Sequence, residues 1–132
     1  MKYLLTIYTD ESGFSEATPE QIQQVMAAYE AFGRDASAAG ALLGGEGLQP
    51  SGTATTVRVR GGETITSDGP FADTREQLGG YYLLDCRDLD EAIGWAAKIP
   101  GAQNGTIEVR PVMDYEAVGA EPEAGAHEGA QA

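Results

Sequence analysis

The sequence predicts an α+β fold: a ferredoxin-like βαββαβ arrangement with a hairpin extension, in which an antiparallel sheet carries two helices on one face. Three observations predict it. Segments 2–8, 54–60 and 106–112 alternate apolar and polar residues with the period of half-buried strands. Two longer segments, opening at Thr18 and at Asp88, repeat their apolar residues every 3 to 4 positions, as amphipathic helices do. The order strand, helix, strand, strand with hairpin, strand, helix, strand gives two crossings that lie on the same side of one sheet. A chain of 132 residues, 42% hydrophobic and 22% charged, supports one modest core rather than two.

Taken in order, Tyr3, Leu5 and Ile7 alternate with Leu4, Thr6 and Tyr8, in a segment rich in β-branched and aromatic residues. Asp10 to Ala17 reads as a loop. Thr18-Pro19-Glu20-Gln21 then combines an N-cap, a proline at the first helical position and a Gln three residues after the cap. Ile22, Val25, Met26, Tyr29 and Phe32 form a helical stripe that continues to Ala36 and Ala39 and stops at Gly40. Leu42 to Leu48 is a short glycine-rich strand closed by the turn Gln49-Pro50-Ser51-Gly52.

Residues 54–60 alternate again, Gly61-Gly62 supplies a hairpin turn, and Glu63 to Thr66 returns as a short strand. Ser67-Asp68-Gly69-Pro70-Phe71 is expected to be a loop, since Gly and Pro interrupt the pattern. Residues 79–86 are the most apolar strand. Asp88-Leu89-Asp90-Glu91 caps a second helix through Trp95 and Ile99, which Pro100-Gly101 ends. Residues 106–112 form the last strand. The domain is therefore 1–113, and 114–132 is an acidic tail of Gly, Ala, Glu and Pro expected to be disordered.

The charge narrows the partners. A net charge of −13 disfavours phosphate backbones and anionic lipid surfaces, so neither a nucleic acid nor a membrane is an expected partner. The apolar run from Tyr3 to Tyr8 is too short for a span or a signal h-region, and the single cysteine, Cys86, suits a reducing compartment; the expected location is cytoplasmic. One histidine, His127, lies in the tail, so the folded part can build neither a histidine-dependent triad nor a histidine zinc site. No metal and no cofactor is expected, and no GxGxxG, P-loop, HExxH or GxSxG pattern occurs.

Several side chains are candidates for chemistry, each beside a plainer reading. Asp68, between Ser67 and Gly69-Pro70-Phe71, is either a carboxylate aimed into a cleft by a rigid loop or an Asx-type turn, with Phe71 plugging the core. Glu76, with Arg75, is either at the same opening or at a solvated loop end. Glu46 stands among glycines that let a ligand, or another backbone, approach closely; sharing a cleft with Asp68 would raise one carboxyl pKa and supply an acid/base pair. Arg58 and Arg110 either bind an anionic group or form ion pairs on the sheet. Tyr8, Tyr81 and Tyr82 either line an aromatic pocket or pack. Cys86, between Asp85 and Asp88, reads as packing. The face bearing Thr6, Tyr8, Arg58, Arg60, Glu108 and Arg110 is expected to be closed by a second copy, giving a homodimer.

Ser67-Asp68-Gly69-Pro70-Phe71-Ala72-Asp73-Thr74-Arg75-Glu76-Gln77-Leu78-Gly79-Gly80-Tyr81-Tyr82 resembles the pattern of the DGPF branch of the YCII-related (YciI-like) family. The resemblance extends to Gly44-Gly45-Glu46-Gly47-Leu48-Gln49-Pro50, Thr55-Thr56-Val57-Arg58, Asp88-Leu89-Asp90-Glu91-Ala92 and Ile107-Glu108-Val109-Arg110-Pro111, so it covers about residues 1–113. It implies a ferredoxin-like fold that pairs into a dimeric α/β barrel. Some members resemble enzymes built on a histidine and aspartate pair, one of which removes chloride from a chlorinated hydroxyquinol. Asp68 stands where the family aspartate would, but His127 lies outside the matching region and the dyad does not carry over. Members of this branch are often encoded beside extracytoplasmic-function sigma factors, which implies a regulatory setting.

The expectation from the sequence is thus a homodimer with a polar cavity lined by Tyr8, Glu46, Arg58, Asp68, Tyr82 and Arg110. It binds, and in one reading turns over, a small organic molecule, with Asp68 as anchor or base and an arginine countering substrate charge. The alternative is a non-catalytic regulatory module that contacts another protein through the same loop.

Overall fold

A computed structural model describes residues 1–116 of the chain; His127 and most of the segment expected to be a disordered tail lie outside the described residues. Four strands, β1 (Lys2–Thr9), β2 (Leu42–Gly47), β5 (Gln77–Asp85) and β6 (Thr106–Pro111), form one sheet in the order β2-β5-β1-β6, with every neighbouring pair antiparallel. Helix α2 (Pro19–Ala38) carries the chain from β1 to β2 past β5, and α3 (Leu89–Lys98) carries it from β5 to β6 past β1. This order and these two crossings are consistent with a ferredoxin-like α+β fold.

Local chemistry places the helices. The Thr18 hydroxyl accepts from the Gln21 amide at 3.2 Å while the Gln21 side chain accepts from the Thr18 amide at 2.9 Å, a reciprocal cap with Pro19 behind it. Asp88 accepts from the Glu91 amide at 2.9 Å, and Asp90 and Glu91 lie in the first turn, where the helix dipole favours them. The core forms where both helices meet the alternating face of the sheet: Tyr3, Leu5, Ile7 and Leu84 below, Phe32, Ala36, Ala92 and Ala96 above. Leu5, Leu84 and Ile99 are fully buried, each burial contributing about 2 kcal/mol. Phe32 ties the layers together, with its ring centroid 4.8 Å from that of Tyr82 and 5.9 Å, edge-on, from that of Trp95. Cys86 is buried at the end of β5; burial, then Glu91 and Asp85, push its thiol pKa up, as packing rather than reactivity requires.

The remaining strands, β3 (Thr55–Arg60) and β4 (Glu63–Asp68), make a separate two-stranded sheet. Gly61 and Gly62 both have positive φ, 58° and 80°, as a two-residue hairpin turn matched to strand twist requires. The arm is exposed along nearly its whole length.

Two expectations fail locally. The segment taken as a loop, 10–17, contains a short helix, α1 (Glu11–Ser15), because the Asp10 carboxylate accepts from both the amide (3.0 Å) and the hydroxyl (2.7 Å) of Ser12 and caps a turn no hydrophobic stripe announces. Ser67 and Asp68 belong to β4, not to the loop: Asp68 pairs with Thr55, and extended pairing ends only at Gly69, whose φ is 91°.

Candidate functional site

The cleft in this molecule arises from missing side chains. Gly45 and Gly47 on β2 and Gly80 on β5 share the helix-facing side of the sheet, where Gly45 stands opposite Tyr82 and Gly47 opposite Gly80. With three adjacent positions bare, the first half of α2 has nothing to rest on, and a cleft of about 700 Å³ opens between helix and sheet. Its volume is in the range of sites for small organic molecules. Ile22, Val25, Met26 and Tyr29 of α2 form one wall, Ile7 and Tyr82 part of the floor, and Phe14 of α1 one end. Gln21, Gln103, Asn104 and Thr9 add polar atoms.

Two of the floor glycines, Gly45 and Gly80, are demanded by close approach, whereas a Cβ on Gly47 would meet open space. A Cβ on Gly45 would lie 2.7 Å from the Tyr81 carbonyl and 2.7 Å from Cδ1 of Tyr82, and one on Gly80 would lie 2.9 Å from the Glu46 carbonyl. Helix α1 is pinned as an end wall by its first residue: the Glu11 carboxylate accepts from the Ser51 amide (2.6 Å) and hydroxyl (2.7 Å), while the Glu11 amide donates to Gln77 Oε1 (3.0 Å).

Two phenols give the cleft its chemistry. Burial pushes the Tyr29 phenol above the ordinary tyrosine range, and a hydrogen bond from the Gly101 backbone offsets part of that. Burial likewise raises Tyr82, and Tyr29 raises it further, so the two phenols are within electrostatic reach of each other. Both are therefore protonated donors near neutral pH. Tyr82 donates no hydrogen bond to any described residue. The charged residues on the lining are Asp10 and Glu46, both acidic. Hydrogen bonds from Ser12 hold the Asp10 carboxyl below its usual range. Among the described residues no cluster of three His, Cys, Asp or Glu side chains could hold a metal ion, and no helix is long and apolar enough to cross a membrane.

The residues singled out in the sequence do not line one cavity within the chain. Tyr82 faces the helices, whereas Tyr8, Thr6 and Tyr81 share the opposite, open face, because successive residues on a strand point to opposite sides. The register places Glu46, opposite Tyr81, on that open face too, at the cleft's edge. Arg110 is there as well, but its guanidinium pairs with Glu108 Oε1 at 2.9 Å along its own strand. Arg58 and Asp68 lie on the exposed arm. Asp68 does not line the cleft that Glu46 borders, so the two carboxylates form no acid/base pair there. Asp68 also caps no amide among the described residues, and Phe71 plugs no core: it is 82% exposed. Glu76 does not face the Asp68 loop; its Oε1 accepts from the Thr106 hydroxyl at 2.8 Å, tying the start of β5 to β6.

Sequence reasoning missed Tyr29, Ile22 and Met26 as lining residues because their helical stripe reads as core. The signal was in the facing strand: a stripe can be buried only by side chains, and Gly45, Gly47 and Gly80 supply none.

Two comparisons with known proteins match nearly the whole described chain. The family model of the YCII-related domain matches residues 1–116. An uncharacterized protein of Rhizobium meliloti (strain 1021) is 43% identical over 117 residues, which cover 87% of this chain and 94% of that protein. By these matches, the chain belongs to the YCII-related family.

Proposed function

We propose that this protein binds a small organic molecule in the cleft between α2 and the glycine-bearing ends of β2 and β5. The observation that carries the reading is an open cleft of about 700 Å³ whose apolar walls contain one hydrogen-bonding phenol, Tyr82, with no partner among the described residues. Tyr29 and Tyr82 orient the ligand and the α2 stripe supplies apolar contact. Asp68 has no part in this site. A fragment screen followed through the methyl signal of Met26 tests it: binders shift that signal, and Val25→Trp, an exposed substitution that fills the mouth, abolishes binding without unfolding the chain. Binders that leave Met26 unmoved, or that survive Val25→Trp, would refute the cleft as the site.

A second copy of the chain completes the molecule in this reading, giving the homodimer and the dimeric α/β barrel. Its support is the arm: Val57 is 59% exposed, Val59 60% and Phe71 82%, and a lone two-stranded hairpin is marginal in water. Sedimentation should return twice the 13.8 kDa chain mass, and Val57→Lys with Val59→Lys should return the monomer; a wild-type monomer at micromolar concentration would refute it. The reading places the protein in the cytoplasm, where Cys86 stays reduced.

A further inference from the structure

The lining of the cleft also selects among ligands. We propose that its ligand is an uncharged, largely apolar molecule carrying one carbonyl or hydroxyl oxygen, which accepts hydrogen bonds from the phenols of Tyr29 and Tyr82. This rests on the reading of the cleft as a binding site and narrows it to one chemical class.

Charge excludes anions. Among the described residues no Lys, Arg or His lines the cleft, and the two charged lining residues, Asp10 and Glu46, are acidic. An anion entering would lose its hydration and find no counter-charge on the lining. Arg75, whose pull is the weakest of the influences on the Asp10 carboxyl, is exposed and outside the lining.

Cations are disfavoured by where the carboxylates point. Asp10 is committed to Ser12 as the cap of α1, and Glu46 shares the open face with Tyr81 rather than the helix-facing floor.

The phenols themselves call for an acceptor. The Tyr29 hydroxyl lines the cleft and donates to no described residue, which leaves its proton available. Tyr82, on the neighbouring floor, has its proton uncommitted among the described residues. Two phenols on one lining offer donors to the lone pairs of a carbonyl oxygen, and the surrounding Ile22, Val25 and Met26 match a hydrocarbon or aromatic body. Leaving such donors unmet in a cleft is costly, so an oxygen-free isostere should bind less well.

Four probes of one shape test this: 4-phenyl-2-butanone, 3-phenylpropionate, 4-phenylbutan-2-amine and butylbenzene, titrated into the full chain with the Met26 methyl as reporter. The ketone should bind at least about tenfold more tightly than the carboxylate and more tightly than the amine and butylbenzene. Tyr82→Phe should bring the ketone to the affinity of butylbenzene and leave butylbenzene unchanged, a pattern that general damage to the cleft would not produce. A carboxylate or amine that matches or exceeds the ketone overturns the proposed class while leaving the cleft reading intact, and so does a ketone indifferent to both Tyr82→Phe and Tyr29→Phe. If no probe moves Met26, both the class and the cleft reading fall.

Discussion

The four-stranded sheet and the β3–β4 arm were built from the same kind of sequence and end in opposite environments. Tyr3, Leu5 and Ile7 alternate along β1 and are all buried; Val57 and Val59 alternate along β3 and are both exposed. Identical periodicity predicts a strand in each case, because period 2 is a property of the backbone. Burial is a property of what lies opposite. Two helices cover one face of the sheet, and among the described residues nothing covers the arm.

The largest test of this contrast pairs one substitution from each region. Leu84→Ala should cost about 3 kcal/mol in urea unfolding, since Leu84 is fully buried between β1 and the helices. Val59→Ala should cost less than about 0.5 kcal/mol at protein concentrations low enough to keep chains apart. A Val59→Ala penalty that grows with protein concentration would show that a second chain covers the arm, because only binding to the folded state couples stability to concentration. A large penalty at every concentration would break the contrast, placing Val59 against its own chain.

The same contrast explains what the sequence could and could not reveal. Elements with a local cause were legible: the Thr18-Gln21 reciprocal cap, the Gly61-Gly62 turn and the β1 alternation each act within a few residues. Helix α1 was not, because its cause is a single side chain, Asp10, closing on Ser12 without an apolar stripe. The candidate site was half legible. Tyr82 and Glu46 were found as residues, yet Tyr82 was assigned to the wrong face, because the sequence alone leaves the pleat of β5 undetermined when Tyr81 and Tyr82 are both aromatic. Asp68 and Phe71 attracted notice through Gly69-Pro70, which fixes backbone geometry and says nothing about what the side chains reach.

Within the covered region, a second pair of substitutions separates space from chain flexibility. Gly45→Ala should destabilise by about 1 to 3 kcal/mol, since its Cβ would collide with the Tyr81 carbonyl, which cannot turn away without breaking the sheet. Gly44→Ala, one residue earlier, meets open space at an ordinary φ and should be neutral or stabilising by up to about 1 kcal/mol. Thermal melts of both proteins check this. Equal effects would mean that the floor of the cleft yields, and that Gly45 serves chain flexibility rather than the approach of β2 to β5.

The smallest effect is one of pH, and it reports on the covered region alone, since the arm from Thr55 to Asp68 contains no tyrosine. Burial raises the phenol pKa values of Tyr29 and Tyr82 above the model-peptide value of 10.0. The folded chain thus holds these protons more firmly than the unfolded one. Their contribution to stability is full below pH 10 and is lost as the pH rises through the higher folded values. Unfolding midpoints in urea should therefore be level from pH 7 to about 9, as far as these two groups go, and fall above pH 10. The double variant Tyr29→Phe, Tyr82→Phe should flatten that fall, because phenylalanine has no proton to hold. A ligand that accepts hydrogen bonds from both phenols must bind the protonated pair, so its affinity should decline over the same interval. Affinity that rises there instead would mean that the cleft binds best with a phenolate at its floor, and the roles of donor and acceptor would be reversed.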